Sequence, residues 1–256
     1  MEASVQPGVA GQAPDARIVA FARGALLCST GLAAEPASEW FDPAWWRARG
    51  ALREGSGGRG GVAFLDTPAG ACVLRHYRRG GWVAPVLGDR YLWSGRGGCR
   101  SFVEFKLLMT LSRRGLPVPV PVAARYLRRG FFYTADLITR TIERAQTLAE
   151  AIRAKRFDAA LAARVGGLIA QFHRADVDHA DLNAHNILLA DDDLWLIDFD
   201  RGEIRATGTA WKLANLARLK RSLLKVGACD HDEALLDREV WAPLMRAYER
   251  AIGNHG

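Results

Sequence analysis

The sequence has no uninterrupted apolar run of about 18 residues, so no membrane-spanning helix is expected. Its four cysteines, Cys28, Cys72, Cys99 and Cys229, are far apart and form no metal-ligand pair. That spacing argues against a zinc module and a disulfide scaffold, and suits reduced thiols in a cytosolic setting. Residues 1–14 are polar and rich in small side chains, and the weakly apolar stretch after them carries Arg17 and Arg23. A secretory signal is therefore not expected. There is no Walker Gly-Lys-Ser/Thr, no EF-hand pattern, no RNA-recognition or zinc-finger pattern and no internal repeat. Acidic residues are in deficit: 28 Asp and Glu face 35 Lys and Arg, for a net charge of +7. That excess favours an anionic partner, either nucleic acid or an acidic membrane surface.

What is present is concentrated in one stretch. His179-Ala180-Asp181-Leu182-Asn183-Ala184-His185-Asn186 is followed by the apolar run Ile187-Leu188-Leu189. Asp191-Asp192-Asp193 is a solvated turn, and Leu194-Trp195-Leu196-Ile197 is a second apolar run that ends at Asp198-Phe199-Asp200. The two runs predict a β-hairpin with Asn186 and Asp198 side by side at its open end. A carboxylate and an amide brought together this way suit a hard cation. Phosphoryl transfer needs one carboxylate to take the attacking hydroxyl's proton, and an Asn and an Asp to hold magnesium on the ATP phosphates. Asp181 is the candidate base; Asn186 and Asp198 are the candidate metal ligands.

The upstream half supplies further parts. Gly55, Gly57, Gly58 and Gly60 lie in a glycine-rich turn before the strand Val62 to Leu65. Such a turn reads as a flexible connector or as a cradle for phosphate oxygens. A second strand, Ala71 to Tyr77, carries Arg75 where a kinase carries its phosphate-pairing lysine. The period of residues 101–111 predicts a helix. Its Glu104 is either the ion-pair partner of Arg75 or the closing residue of a Ser101-x-x-Glu104 capping box. The prolines at 117, 119 and 121 require an extended segment after it.

Organisation along the chain is coarse. Residues 1–45 carry no strong motif and are expected to be a partly ordered extension. Residues 46–143 read as strand-rich with one main helix, and residues 144–256 as mostly helical. Helices are predicted over 148–155, 159–173, 211–226 and 234–252. The helix over 211–226 sets Lys212, Arg218, Lys220, Arg221 and Lys225 against five leucines. It reads either as a core helix with a basic outer face or as a helix lying on a membrane. Arg78, Arg79, Trp82, Arg90 and Trp93 mix basic and aromatic character. They suit a membrane interface or a solvated loop with its tryptophans tucked inward.

With these residues in view the chain resembles the lipopolysaccharide core kinases, and within them the 3-deoxy-D-manno-octulosonic acid (Kdo) kinases. The resemblance runs from about Gly55 to Leu224. It is carried by Leu74 through Gly81, Asp89 through Trp93, Gly115 through Pro119, His179 through Asn183, and Trp211 through Leu223. It implies an α+β, protein-kinase-like two-lobed fold, with 46–143 as N-lobe and 144–256 as C-lobe. It implies ATP and Mg2+, with Gly55, Gly57, Gly58, Gly60, Arg75 and Glu104 at the nucleotide. It also implies phosphorylation of a hydroxyl (the 4-OH in the family) of Kdo on a lipid A precursor. The expected setting is peripheral, on the cytoplasmic side of the cell inner membrane, with a lipid-linked acceptor, an anionic surface and no nucleic acid as partners.

Departures from the wider kinase pattern are clear. Arg75 stands for lysine, Ala180 for the arginine of the catalytic loop, and Asp200 for the glycine after Phe199; no Ala-Pro-Glu follows. These argue against a phosphorylation-switched protein kinase. Two rivals stay open: a heptose or other small-molecule kinase of the same fold, and a non-catalytic nucleotide-binding module at a membrane surface.

Overall fold

The computed structural model describes residues 15–53, 62–78 and 88–253. Gly55, Gly57, Gly58, Gly60, Arg79 and Trp82 lie outside the described residues.

An antiparallel sheet dominates the first half. Its strands are β1 (Ala16–Phe21), β2 (Gly24–Ser29), β3 (Leu52–Arg53), β4 (Val62–Thr67), β5 (Gly70–His76), β6 (Tyr91–Leu92), β7 (Pro121–Arg129) and β8 (Phe132–Arg140). The order is β1-β2-β7-β8-β5-β4-β3, with β6 also pairing β8. Period-2 alternation explains its two buried faces. Ala25, Leu27, Tyr77, Ala124, Tyr126, Ala135 and Leu137 belong to one core, which they share with helix residues Phe102, Phe105 and Leu108. Leu26, Cys28, Leu65, Cys72, Leu74, Ala123 and Ile138 belong to a second core, with Trp40, Phe41 and Trp46. The second core is closed by a short turn (Ser38–Phe41) and α1 (Pro43–Arg47). Trp46 Nε1 donates to the Trp40 carbonyl at 2.8 Å, which locks that lid.

This revises the expectation for residues 16–45. They are integrated into the fold: β2 is buried on both faces and pairs β7 from Gly24↔Leu127 to Cys28↔Ala123. Arg17 and Arg23, read as interruptions, sit on an exposed edge strand and at its turn, where cations are no obstacle to pairing.

Helix α2 (Arg100–Arg113) crosses the sheet. The second half is helical as expected: α3 (Leu148–Arg153), α4 (Ala159–Arg174), α5 (Ala210–Lys225), α6 (Glu233–Leu236) and α7 (Ala242–Gly253). Asp158 and Thr147 cap α4 and α3, Thr147 in a full capping box with Glu150. Helices α4 and α7 approach so closely at Gly166 that an added Cβ would lie 2.1 Å from the Leu244 carbonyl oxygen. The single helix predicted over 234–252 is instead broken by a π turn, Asp237–Trp241. Helix α5 is a core helix: Asn215, Leu216, Leu219 and Leu223 are buried, while Leu213 is 62% exposed.

The short strands are β9 (Gln146–Thr147), β10 (Val177–Asp178), β11 (Ile187–Ala190), β12 (Asp193–Leu196) and β13 (Glu203–Ile204). The expected hairpin is β11–β12, in register from Ile187↔Leu196 to Ala190↔Asp193. Asp191 makes its turn at φ 49.

Candidate active site

β5 and the residue that follows it present Arg75 and Tyr77 toward α2, and Glu104 projects from α2 to meet them. The guanidinium of Arg75 binds Glu104 with one terminal nitrogen and Asp198 with the other. Tyr77 donates its hydroxyl to the same Glu104 oxygen that Arg75 uses, and the Phe199 N–H donates to the other at 3.1 Å. Arg75 also lies over the Tyr77 ring at 4.5 Å. Three donors therefore fix a carboxylate that is 2% exposed. Burial opposes the charge on Arg75, but Glu104, Tyr77, Asp198 and Asp200 together hold its pKa well above the ordinary value. Burial likewise pushes the Glu104 carboxyl up, against the pull of Arg75. The competing use of Glu104 as a capping residue is not adopted: α2 starts from Cys99 without a side-chain cap, and the Ser101 hydroxyl donates to the Arg125 carbonyl instead.

The β11–β12 hairpin sets the second half of the site. The Ile197 N–H donates to the Asn186 carbonyl at 2.9 Å, so Asn186 and Asp198 flank the open end of the hairpin side by side as expected. Asp198 adopts φ 64, the left-handed region that Asp tolerates better than most side chains. Asn186 donates its amide N–H to the Asp181 carbonyl at 2.9 Å, which directs its amide oxygen away from that group. Asn183 donates to the same carbonyl at 3.0 Å. The backbone of Asp181 is thus held while its carboxylate side is exposed. Among the described residues no three His, Cys, Asp or Glu side chains converge as a metal cage. Asp198 Oδ2 and the Asn186 amide oxygen are the oxygens available here. They fit magnesium, which takes one or two protein oxygens and completes its shell with phosphate and water.

Three supports escaped the sequence reading. Arg100, the first residue of α2, grips Asp200 with both nitrogen types, Nε reaching Oδ1 at 2.7 Å. The buried His179 donates from Nε2 to the Ile197 carbonyl at 2.9 Å and packs on Phe199 with ring centroids 4.7 Å apart. Asn215 on α5 accepts from the His179 N–H at 3.1 Å and donates to Asp178 at 2.7 Å. In the sequence Asp200 stands out only as a departure from glycine; its signal there is a carboxylate directly after Phe199.

A family model described as "Lipopolysaccharide kinase (Kdo/WaaP) family" matches residues 43–248. The chain belongs to this family. Relatives are the 3-deoxy-D-manno-octulosonic acid kinases of three bacteria. That of Xanthomonas axonopodis pv. citri (strain 306) is 48% identical over 231 residues, covering 90% of this chain and 91% of the relative. That of Xanthomonas campestris pv. campestris (strain B100) is 49% identical over 221 residues, covering 83% and 84%. That of Stenotrophomonas maltophilia (strain K279a) is 48% identical over 214 residues, covering 82% and 84%. A solved structure, "WaaP in complex with acyl carrier protein", shares the fold at a TM-score of 0.50 and 22% identity, covering 84% of this chain and 87% of that one. The α+β architecture of a strand-rich N-terminal part and a helical C-terminal part is the one expected. The fold draws Arg75, Glu104 and Asp198 into one ion-paired cluster, with Asn186 beside Asp198 at the open end of the hairpin.

Proposed function

We propose that the chain transfers the γ-phosphoryl group of ATP to a hydroxyl of Kdo on a lipid A precursor, the 4-hydroxyl by family resemblance. The observation that carries this reading is the clasp of Arg75 between Glu104 and Asp198. It leaves a cation with unused donors facing the hairpin end where a nucleotide's phosphates would meet a metal. Arginine presents a rigid fork and stays charged, so it can replace lysine at phosphate oxygens. Arg75 and the glycine-rich turn with Gly55, Gly57, Gly58 and Gly60 bind and orient the phosphates. Asn186 and Asp198 would hold magnesium, which would neutralise phosphate charge. Asp181 takes the proton from the acceptor hydroxyl as its oxygen bonds to the γ-phosphorus. The bond from that phosphorus to the β–γ bridging oxygen breaks, and ADP leaves.

The setting is the cytoplasmic side of the cell inner membrane, with the protein peripheral on an anionic surface. The net charge of +7 supports this, and no helix among the described residues is long and apolar enough to cross a membrane. No nucleic-acid partner enters the reading. The test is ATP turnover with purified lipid A precursors, with and without Kdo, and with heptose-bearing acceptors. ADP release that depends on Kdo is expected. Turnover requiring heptose would replace this acceptor.

A further inference from the structure

Three strand ends meet at the edge of the sheet farthest along β8 from its Arg140 end. Phe21 pairs Gly24, which pairs Leu127. The Arg128 N–H donates to the Arg23 carbonyl at 2.7 Å. Leu92 pairs Phe132, and the Trp93 N–H donates to the Phe131 carbonyl at 2.9 Å. The turns β1–β2 and β7–β8 and the short β6 thus form one tip. On it Phe131 is 82% exposed, Leu92 64% and Phe21 38%. Around them stand Arg23, Arg128 and Arg129, none with a carboxylate partner among the described residues. The segments 21–24, 91–93 and 127–134 contain no Asp or Glu.

Folding does not explain this composition. Gly130, at φ 63, makes the turn, and nothing in a turn requires the Phe that follows. Trp93 already packs on Tyr126 and Tyr133, with centroids 5.0 and 5.9 Å apart, and Arg128 covers it at 4.9 Å. The aromatic packing beneath the tip is complete without Phe131 and Leu92. Large apolar side chains on a convex turn, ringed by uncompensated cations, match a surface with apolar depth beneath anionic headgroups. A small ligand or a peptide segment would call for a concave site.

We infer that this tip anchors the protein on an anionic lipid surface, with Phe131 and Leu92 entering the headgroup boundary and Arg23 and Arg129 pairing lipid phosphates. The inference rests on the lipid-linked acceptor reading above and assigns the surface that reading needs. Of the patch expected from sequence, Arg78, Arg79, Trp82, Arg90 and Trp93, the Trp93 ring is committed to Tyr126 and Tyr133, and Arg79 and Trp82 lie outside the described residues. Leu137, paired with Arg75, is six residues along the same strand from Phe131, so the tip stands roughly 20 Å from the site. An anchor at that distance leaves the nucleotide contacts free.

The test uses the full chain and vesicles of phosphatidylcholine with or without phosphatidylglycerol. Phe131→Ser with Leu92→Ser should weaken co-sedimentation with anionic vesicles by roughly tenfold. Arg23→Gln with Arg129→Gln should weaken it by roughly fivefold per arginine, and less at high salt. Turnover on detergent-dispersed acceptor needs no vesicle and reads the acceptor assignment separately. It should be equal in parent and variants, because none of these side chains touches the site. Unchanged vesicle binding in both variants overturns the inference, as does a parent that phosphorylates dispersed acceptor and does not bind vesicles. Loss of dispersed-acceptor turnover in the variants also overturns it, by showing damage to the site. Saturable binding of purified acyl carrier protein, lost in the same variants without vesicle binding, reassigns the tip to an acidic protein.

Discussion

Asp181 shows its carboxylate to solvent while Asn183 and Asn186 both hold its carbonyl. As the proposed base, it would move a proton without reshaping the loop. Positioned proton transfer contributes typically ~10²–10⁴-fold. Asp181→Asn should therefore lower kcat on that scale and leave ATP affinity nearly intact; near-parent turnover would remove Asp181 from the role. The two proposed metal ligands differ in kind. Asp198 brings formal charge and Asn186 only a dipole, so Asp198→Ala should abolish magnesium-dependent nucleotide binding more severely than Asn186→Ala. Calorimetry with and without magnesium checks this, and equal losses in the two variants would contradict it. The thiols are bystanders: burial pushes Cys28 and Cys99 up to about 11, so they stay protonated near neutrality.

At the scale of elements, α2 is tied to the segment after the hairpin at two heights. Glu104 accepts the Phe199 N–H, and one turn earlier Arg100 holds Asp200. A kinase with glycine after its Phe has no side chain there to make the second tie. Here the departure fixes α2, and through it Glu104 and Arg75. Arg100 also donates its backbone N–H to the Tyr133 hydroxyl at 3.1 Å, which joins the same point to β8. Hydrogen bonds between charged groups contribute about 1.5–3 kcal/mol, so Asp200→Ala should lower stability on that order. Paired with Arg100→Ala in a double-mutant cycle, the two should show a coupling above roughly 0.5 kcal/mol. Additive effects in urea unfolding would show that the pair does not act as a unit.

The molecule as a whole should lose stability on mild acidification. His173 is 1% exposed between α4 and α7, with Nδ1 2.9 Å from the Tyr248 hydroxyl. Burial lowers its pKa from 6.5 to about 4. The folded state therefore resists the proton that the unfolded chain accepts below about 6.5. Its contribution is present above 6.5 and lost as pH falls toward 4. His179, also pushed down by burial, acts in the same direction. His76 runs oppositely: its hydrogen bond to Asp136 raises it, so its contribution fades as pH rises through the raised value. The His173 gap is worth about 3 kcal/mol when fully expressed. His173→Gln should flatten the acid limb of a stability profile between pH 7 and 4.5 by about 2 kcal/mol, most of that gap. Parallel profiles for parent and variant would refute the assignment.

Local order along the chain singled out Asp181, Asn186, Asp198 and Arg75 as candidates, because a loop, a hairpin and a strand each carry their spacing within a few residues. It also determined the α+β class, since period 2 gives way to helical period near residue 144. It favoured the ion pair for Glu104 without closing the capping-box reading, because the two look alike locally until Arg75 arrives from 29 residues away. It read residues 1–45 as a partly ordered extension because β2 is buried on both faces and shows no alternation, and its partner β7 begins at Pro121. The Arg100–Asp200 tie spans 100 residues, and the tip with Phe131 joins turns separated by over 100. Such juxtapositions follow from strand order and helix crossing. These are set by burying two faces of one sheet at once, a constraint no local window of sequence contains.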